Sequence, residues 1–416
     1  MNEAQIIEAL MQLPSARRFS EALAHDCMQG RNVLVRTGAQ LAPESLRLLL
    51  DDALGRLRGP RVHAVRLEDC EANETPSAFL SRVAHTNEDA FRPSLSQSEG
   101  EEVPDTLFLL SGLEGLPVTL QECWAEYFVT WTQYPAVRTH VLALSAASTP
   151  GKLHAVVGDT RLAIHSWWQG LSTLEVRLLC RLCTSATEDW AASRWREAVL
   201  PHVAGCDMRL VARLWDVVLE SEDQLAEALR EYGQGLGLSK VRLDSLGQGL
   251  RQAAMARLDE RTPRGTWGVA WSLGAAHASQ EYGTELTAAA LAVLEQLPDL
   301  RNRVWRGQAG LLLPHLDQLR MAVCRVLTDR LGPEWPIKFG ARLFDDEERA
   351  QVEADPLSTE FGPLEIILRE GRFPGGKRYH PVVKRARAMR NALAHYKTVR
   401  LADYRELLDA QRAVGL

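Results

Sequence analysis

Arg390, Asn391 and His395 are the residues of this chain whose types and spacing could act together on a substrate. They close the run Lys384-Arg385-Ala386-Arg387-Ala388-Met389-Arg390-Asn391-Ala392-Leu393-Ala394-His395-Tyr396. An imidazole titrates near neutrality and suits proton transfer, while a guanidinium stays charged and matches phosphate geometry. Together they suit RNA cleavage without metal. One group takes the 2′-hydroxyl proton, another protonates the leaving 5′ oxygen, and a cation steadies the phosphorane between them. Val383 to Thr398 has good helix formers and no internal Gly or Pro, so a helix is expected there. On it Val382, Ala386, Met389, Leu393 and Tyr396 form the expected buried stripe, with Lys384, Arg387, Asn391, His395 and Thr398 on another face. Arg390 falls about 140° round the helix from His395. A site completed by a second copy of the helix across a two-fold axis is therefore expected.

Arg390-Asn391-x-x-x-His395 resembles the Arg-x(4–6)-His signature of HEPN domains, over roughly residues 335–416. The resemblance implies a small helical bundle, RNA cleavage without metal or cofactor, and a homodimer. It assigns Arg390, Asn391 and His395 to catalysis, with Lys384, Arg385, Arg387 and Lys397 guiding the RNA backbone. Expected helices at Phe361 to Glu370 and Leu401 to Gln411 fit such a bundle. Two other readings stay open: the same bundle used for dimerisation or nucleotide binding, and a solvated surface helix.

Upstream, Asn32-Val33-Leu34-Val35-Arg36-Thr37-Gly38 reads as a buried strand closed by a turn, and Pro43-Glu44-Ser45 opens a helix. Strands are expected again at 61–67, 106–110, 141–145 and 162–165, with helices at 77–85 and 119–132. Strands alternating with helices imply a parallel sheet. Followed by helices at 172–184, 188–204, 207–219 and 222–236, this order resembles an AAA+ or STAND-type ATPase with its helical lid, over roughly residues 20–237. The nucleotide chemistry is missing. Thr37-Gly38-Ala39-Gln40-Leu41-Ala42-Pro43-Glu44-Ser45 has no lysine, and Glu44 would repel a triphosphate. The third strand ends in Ser111, not in a carboxylate for magnesium.

The expected fold class is multidomain and mainly α. A degenerate P-loop NTPase-like α/β domain (1–171) precedes a lid-like helical subdomain (172–240), a helical middle (241–335) and a HEPN-like bundle (336–416). Residues 86–104 read as a surface loop, and Pro314 should kink or break a helix running from Leu300 to Leu331. Gly340–Glu370 carries nine acids against three bases, and Pro374–Arg412 ten bases against three acids. The first segment either masks the second or is simply solvated.

A net charge of −6 argues against a protein that coats nucleic acid non-specifically, so any RNA contact is local. Seven irregularly spaced cysteines fit a reduced, cytoplasmic setting. Cys180-x-x-Cys183 lacks a second ligand pair and lies among leucines, which favours packing over zinc. No secretory signal or membrane span is evident. The functional expectation is a defence or toxin-type effector that cleaves RNA once activated through its ATPase-like body. The alternative is a non-enzymatic adaptor pairing that body with an active NTPase; an NTPase or an antitoxin is the protein partner expected.

Overall fold

The computed structural model describes residues 3–416 except 58–60, 72, 86–105, 133–138, 146–161, 169, 186, 254–264, 280, 282 and 372. The loop expected at 86–104 lies outside the described residues. In chain order the elements begin α1 (Glu3–Leu10), α2 (Pro14–Met28), β1 (Asn32–Thr37), α3 (Pro43–Gly55), β2 (Arg61–Arg66) and α4 (Pro76–Ala84). Next come β3 (Thr106–Ser111), α5 (Val118–Thr132), β4 (Thr139–Ser145), β5 (Leu162–Ser166) and α6 (Thr173–Cys183). They continue with α7 (Trp190–Ala204), α8 (Met208–Leu214), α9 (Glu222–Gly235), α10 (Lys240–Ala253), α11 (Gly265–Ser272), β6 (Ala276–Ser279), β7 (Gly283–Leu286) and α12 (Ala288–Val293). The last are α13 (Leu297–Leu331), α14 (Trp335–Gly340), α15 (Asp346–Ala354), α16 (Phe361–Glu370), α17 (His380–Ala394) and α18 (Leu401–Ala413). The chain is mainly helical, and its α/β part is N-terminal.

Two compact units result. The first takes Met1–Cys183, Ala204–Arg213 and Leu229–Glu295, and the second takes Thr184–Val203, Leu214–Ala228 and Gln296–Leu416.

The first unit is built on a five-stranded sheet in the order β2-β3-β4-β1-β5, with every pairing parallel. Val33 faces Val141 on one side and Ala163 on the other, so β1 is central. A parallel sheet needs both faces covered, which explains why β1 is apolar without alternation. On one face Val33, Val35 and Val141 pack with Leu23 and Cys27 of α2 and Leu50 and Ala53 of α3. On the other, Leu34, Phe108 and Leu142 pack with Phe79 of α4 and Trp124 and Phe128 of α5. This strand order, with a helix leaving β1 on one face and α4 and α5 on the other, is that of a P-loop NTPase-like fold. α3 starts as its sequence suggests, with Pro43 in its first turn and Glu44 at its positive end.

The middle region, expected to be helical over 241–335, also holds β6 and β7, an antiparallel hairpin that pairs Ala276 with Leu286 and His277 with Glu285. Strands of four residues, Ala-His-Ala-Ser and Gly-Thr-Glu-Leu, are too short and too poor in β-branched and aromatic residues to show a period.

The second unit centres on α13. It runs as one helix through Pro314, where a kink or break was expected, with Leu312, Leu316, Leu319 and Val323 buried on one side. Tertiary burial outweighs the local cost of the proline. Gly307 lets α13 approach α7 closely: a Cβ there would lie 2.5 Å from the Ala198 carbonyl oxygen. α18 stacks Tyr404 on Trp195 of α7, with ring centroids 6.0 Å apart. The acidic run at 345–355 is a capped helix: Asp345 accepts from the Glu348 N–H at 2.8 Å and Glu348 accepts from the Asp345 N–H at 3.1 Å.

Candidate functional site

Two places deserve a chemical reading: the turn after β1 and the end of α17. In a P-loop enzyme the first holds phosphate on open backbone N–H groups. Here residues of the first unit fill it. A Cβ on Gly38 would lie 2.4 Å from Trp271 Nε1 and 2.7 Å from the Trp271 carbonyl oxygen, so the indole sits directly on the turn. Gln40 is buried and donates its amide to the Ala276 carbonyl at 2.6 Å. The Arg209 guanidinium donates to the Ala39 carbonyl. Trp168 packs edge-on against Trp271, with centroids 5.4 Å apart. The turn is closed as well as missing its lysine. Ser111, where a magnesium carboxylate would stand, spends its hydroxyl on the Val65 carbonyl at 3.3 Å.

Behind the turn, Asp207 is fully buried and caps α8 by accepting the N–H groups of Arg209 and Leu210, each at 3.1 Å. Burial pushes its carboxyl up to about 6, although the Tyr232 hydroxyl, donating at 2.7 Å, opposes that rise. Burial and the adjacent Asp207 also raise Tyr232, so its hydroxyl remains the donor. Cys206 is buried and pushed up to about 12 by desolvation, which makes it an inert thiol. Among the described residues no group of three or more His, Cys, Asp or Glu could hold a metal ion, and no helix is long and apolar enough to cross a membrane.

No protein-family model and no curated protein matches the chain. Among solved structures it is similar to Saccharomyces cerevisiae RIF2, at 8% identity over 54% of this chain and 92% of that chain, TM-score 0.33. It is also similar to the Thermotoga maritima RuvB Holliday junction branch migration motor, at 12% over 67% and 93%, TM-score 0.32. A third is Drosophila ORC bound to DNA, at 10% over 99% and 72%, TM-score 0.33. Likeness this slight adds nothing to what the strand order already says. By that order the first unit has a P-loop NTPase-like parallel sheet.

At the end of α17 the structure departs from the expected helix in a useful way. The helix stops at Ala394, not Thr398, and His395 follows with φ −103°. Tyr396 takes the left-handed conformation, φ 55°. That turn swings Tyr396 out of the apolar stripe: it is 69% exposed, whereas Val382, Ala386, Met389 and Leu393 are buried as expected. The buried place assigned to Tyr396 is thus corrected. No glycine or proline announces the stop, so helical periodicity alone overran it.

His395 keeps its place in the last turn through its N–H, which reaches the Asn391 carbonyl at 3.2 Å. Among the described residues neither the Asn391 nor the His395 side chain has a partner, and both are exposed. Arg390 is exposed and lies 3.8 Å from Glu360. Arg387 pairs with Glu365 at 2.8 Å, and Arg385 lies 3.5 Å from Glu406. Lys384 and Lys397 are exposed. Of the acidic segment, Glu365 pairs with Arg387 and Glu360 lies near Arg390, while the run at 345–355 forms its own helix.

The segment after α17 is held by residues that sequence spacing did not single out. Trp305 of α13 donates its indole N–H to the Leu393 carbonyl at 2.9 Å. Thr398 donates its hydroxyl to Glu222, which also receives Arg301 at 3.1 Å. His395 thus leaves a fixed helix end, with its ring open to solvent. No local signal ties Trp305 or Glu222 to the end of α17, since each acts across a long stretch of chain.

Proposed function

We propose that the chain is a defence or toxin-type effector whose second unit cleaves RNA without metal, and whose AAA+-like first unit serves as a scaffold through which activation arrives. The observation that carries the reading is the end of α17: His395 and Asn391 lie exposed and unpartnered on a backbone pinned by Trp305, with the exposed Arg390 preceding Asn391 in the same helix. A fixed backbone with open side chains is what a site needs before substrate arrives.

In the reaction proposed, the His395 imidazole accepts the 2′-hydroxyl proton as the 2′-oxygen attacks phosphorus. Arg390 hydrogen-bonds the phosphorane oxygens, and the imidazolium of a second copy protonates the departing 5′ oxygen. The products are a 2′,3′-cyclic phosphate and a free 5′-hydroxyl. Asn391 orients His395 or holds a phosphate oxygen. Lys384, Arg385, Arg387 and Lys397 follow the backbone, and a homodimer brings two helix ends together.

The test incubates purified protein with total RNA and with tRNA, in EDTA, beside His395→Ala and Arg390→Ala. EDTA-resistant cleavage abolished by either substitution is expected. Cleavage indifferent to His395→Ala removes the reading.

A second reading has its own support in the closed β1 turn. A body whose phosphate position is filled by Trp271 and Gln40 suits an adaptor that pairs with an active NTPase. Co-expression with proteins encoded nearby, followed by mass measurement, separates the two: a stable complex with an intact P-loop protein and no cleavage favours the adaptor.

A further inference from the structure

Tyr396 pays for its position with backbone strain. A left-handed turn after a helix ordinarily falls to Gly or Asn, because a Cβ crowds the carbonyl there. Its φ of 55° places a bulky side chain where one is disfavoured. The strain yields little burial in return, since Tyr396 stays 69% exposed. The ring is nevertheless not loose. Its centroid lies 4.8 Å from that of Trp305, tilted 40°. Trp305 is itself held by its bond to the Leu393 carbonyl. The Lys397 N–H, which reaches the Ala392 carbonyl at 2.9 Å, fastens the turn from the other side. A rigid aromatic ring is therefore backed by a second ring and opened to solvent, next to His395, with Lys397 and Arg390 close in the chain.

We propose that Tyr396, buttressed by Trp305, is a stacking platform for one unpaired base of the RNA, and that it selects single-stranded over duplex substrate. This rests on the RNA reading of the same site. The chemistry is direct. Every unpaired base offers a π-face, whereas the bases of an A-form duplex are stacked on each other and closed to a side chain. A base seated on Tyr396 would place its neighbouring phosphate beside His395, and the basic side chains would hold the strand on either side. A tyrosine kept for packing alone would be covered; this one is presented.

The test uses the full chain in a His395→Ala background, so that binding is read with cleavage silenced. The probe is a short single-stranded oligoribonucleotide carrying 2-aminopurine, with its duplex as the comparison. Quenching of the 2-aminopurine on binding is expected for the single strand and not for the duplex. Tyr396→Ala and Tyr396→Asn, the latter at ease in the left-handed turn, should each lose the quenching and bind about 5- to 150-fold more weakly. Tyr396→Phe should keep both. Unchanged binding by Tyr396→Ala and Tyr396→Asn overturns the platform, as does equal, Tyr396-dependent binding of duplex. Circular dichroism and melting of each variant separate a lost platform from a lost fold. The two readings fail differently. Tyr396-dependent quenching without EDTA-resistant cleavage by the parent chain keeps the platform and removes the nuclease. Cleavage that is the same in Tyr396→Ala removes the platform and keeps the nuclease.

Discussion

Gln308 binds Val399 at both backbone atoms: its amide donates to the Val399 carbonyl at 2.9 Å and its carbonyl accepts the Val399 N–H at 2.8 Å. Both residues are buried, so no water can replace either bond. Gln308→Met keeps much of the volume and leaves a donor and an acceptor unpaired. The expected loss is about 2–4 kcal/mol in a denaturant titration of the second unit. A loss below about 0.5 kcal/mol would mean that the segment between α17 and α18 is held by other contacts.

The turn after β1 makes a sharper prediction. Gly38→Ala drives a methyl to within 2.4 Å of Trp271 Nε1 and 2.7 Å of a backbone oxygen that cannot move aside cheaply. Destabilisation of about 1–3 kcal/mol is expected, read as a lower melting temperature. Trp271→Ala should cost more, about 3–5 kcal/mol, because it empties a fully buried site. Neither variant should acquire ATP binding in equilibrium dialysis, since Thr37 to Ser45 supplies no lysine. Binding restored by Trp271→Ala would show that the indole alone bars the nucleotide.

These two sites mark how far sequence reached. The five strands were legible because a buried parallel strand is a short run of β-branched and apolar residues bounded by turns, as Asn32 to Thr37 is. The missing phosphate chemistry was legible too, because it depends on residue types within nine positions. The closing of the turn was not. Trp271 reaches Gly38 across more than 200 residues, and a lone glycine only hints that something approaches closely. At the other site the one-turn spacing of Asn391 and His395 was legible, since the His395 N–H still reaches the Asn391 carbonyl. Tyr396 was misplaced, because a helix that ends without Gly or Pro gives the period no reason to stop.

Asp207 sets a pH dependence. Its carboxyl is raised to about 6 in the fold, from an ordinary 3.8, chiefly by burial. Between those values the folded chain holds a proton that the unfolded chain has lost, so stability falls as pH rises through this window and stays lower above it. Two units correspond to about 3 kcal/mol at most. Asp207→Asn removes the titration and keeps an oxygen to cap α8. Parent and variant should therefore diverge between about pH 4 and 6, with the variant relatively more stable above it. Parallel stability profiles across that range would show that burial does not raise the Asp207 carboxyl.

Glu360 tests whether the basic end of α17 meets an anion. It lies 3.8 Å from Arg390, and both side chains are largely exposed, at 60% and 48%. A pair this open contributes little to stability, so Glu360→Gln should leave the melting temperature nearly unchanged. It should instead tighten binding of a single-stranded oligoribonucleotide about 2- to 5-fold at low salt, because Arg390 no longer divides its charge between carboxylate and phosphate. The advantage should shrink between about 50 and 200 mM salt as counterions screen both partners. Glu365 offers the contrast. It is only 14% exposed and faces Arg387 at 2.8 Å and His380 at 3.7 Å, so Glu365→Gln should cost stability as well as alter affinity. If Glu360→Gln binds RNA no more tightly than the parent at any salt concentration, Arg390 does not meet phosphate, and its place beside His395 has another cause.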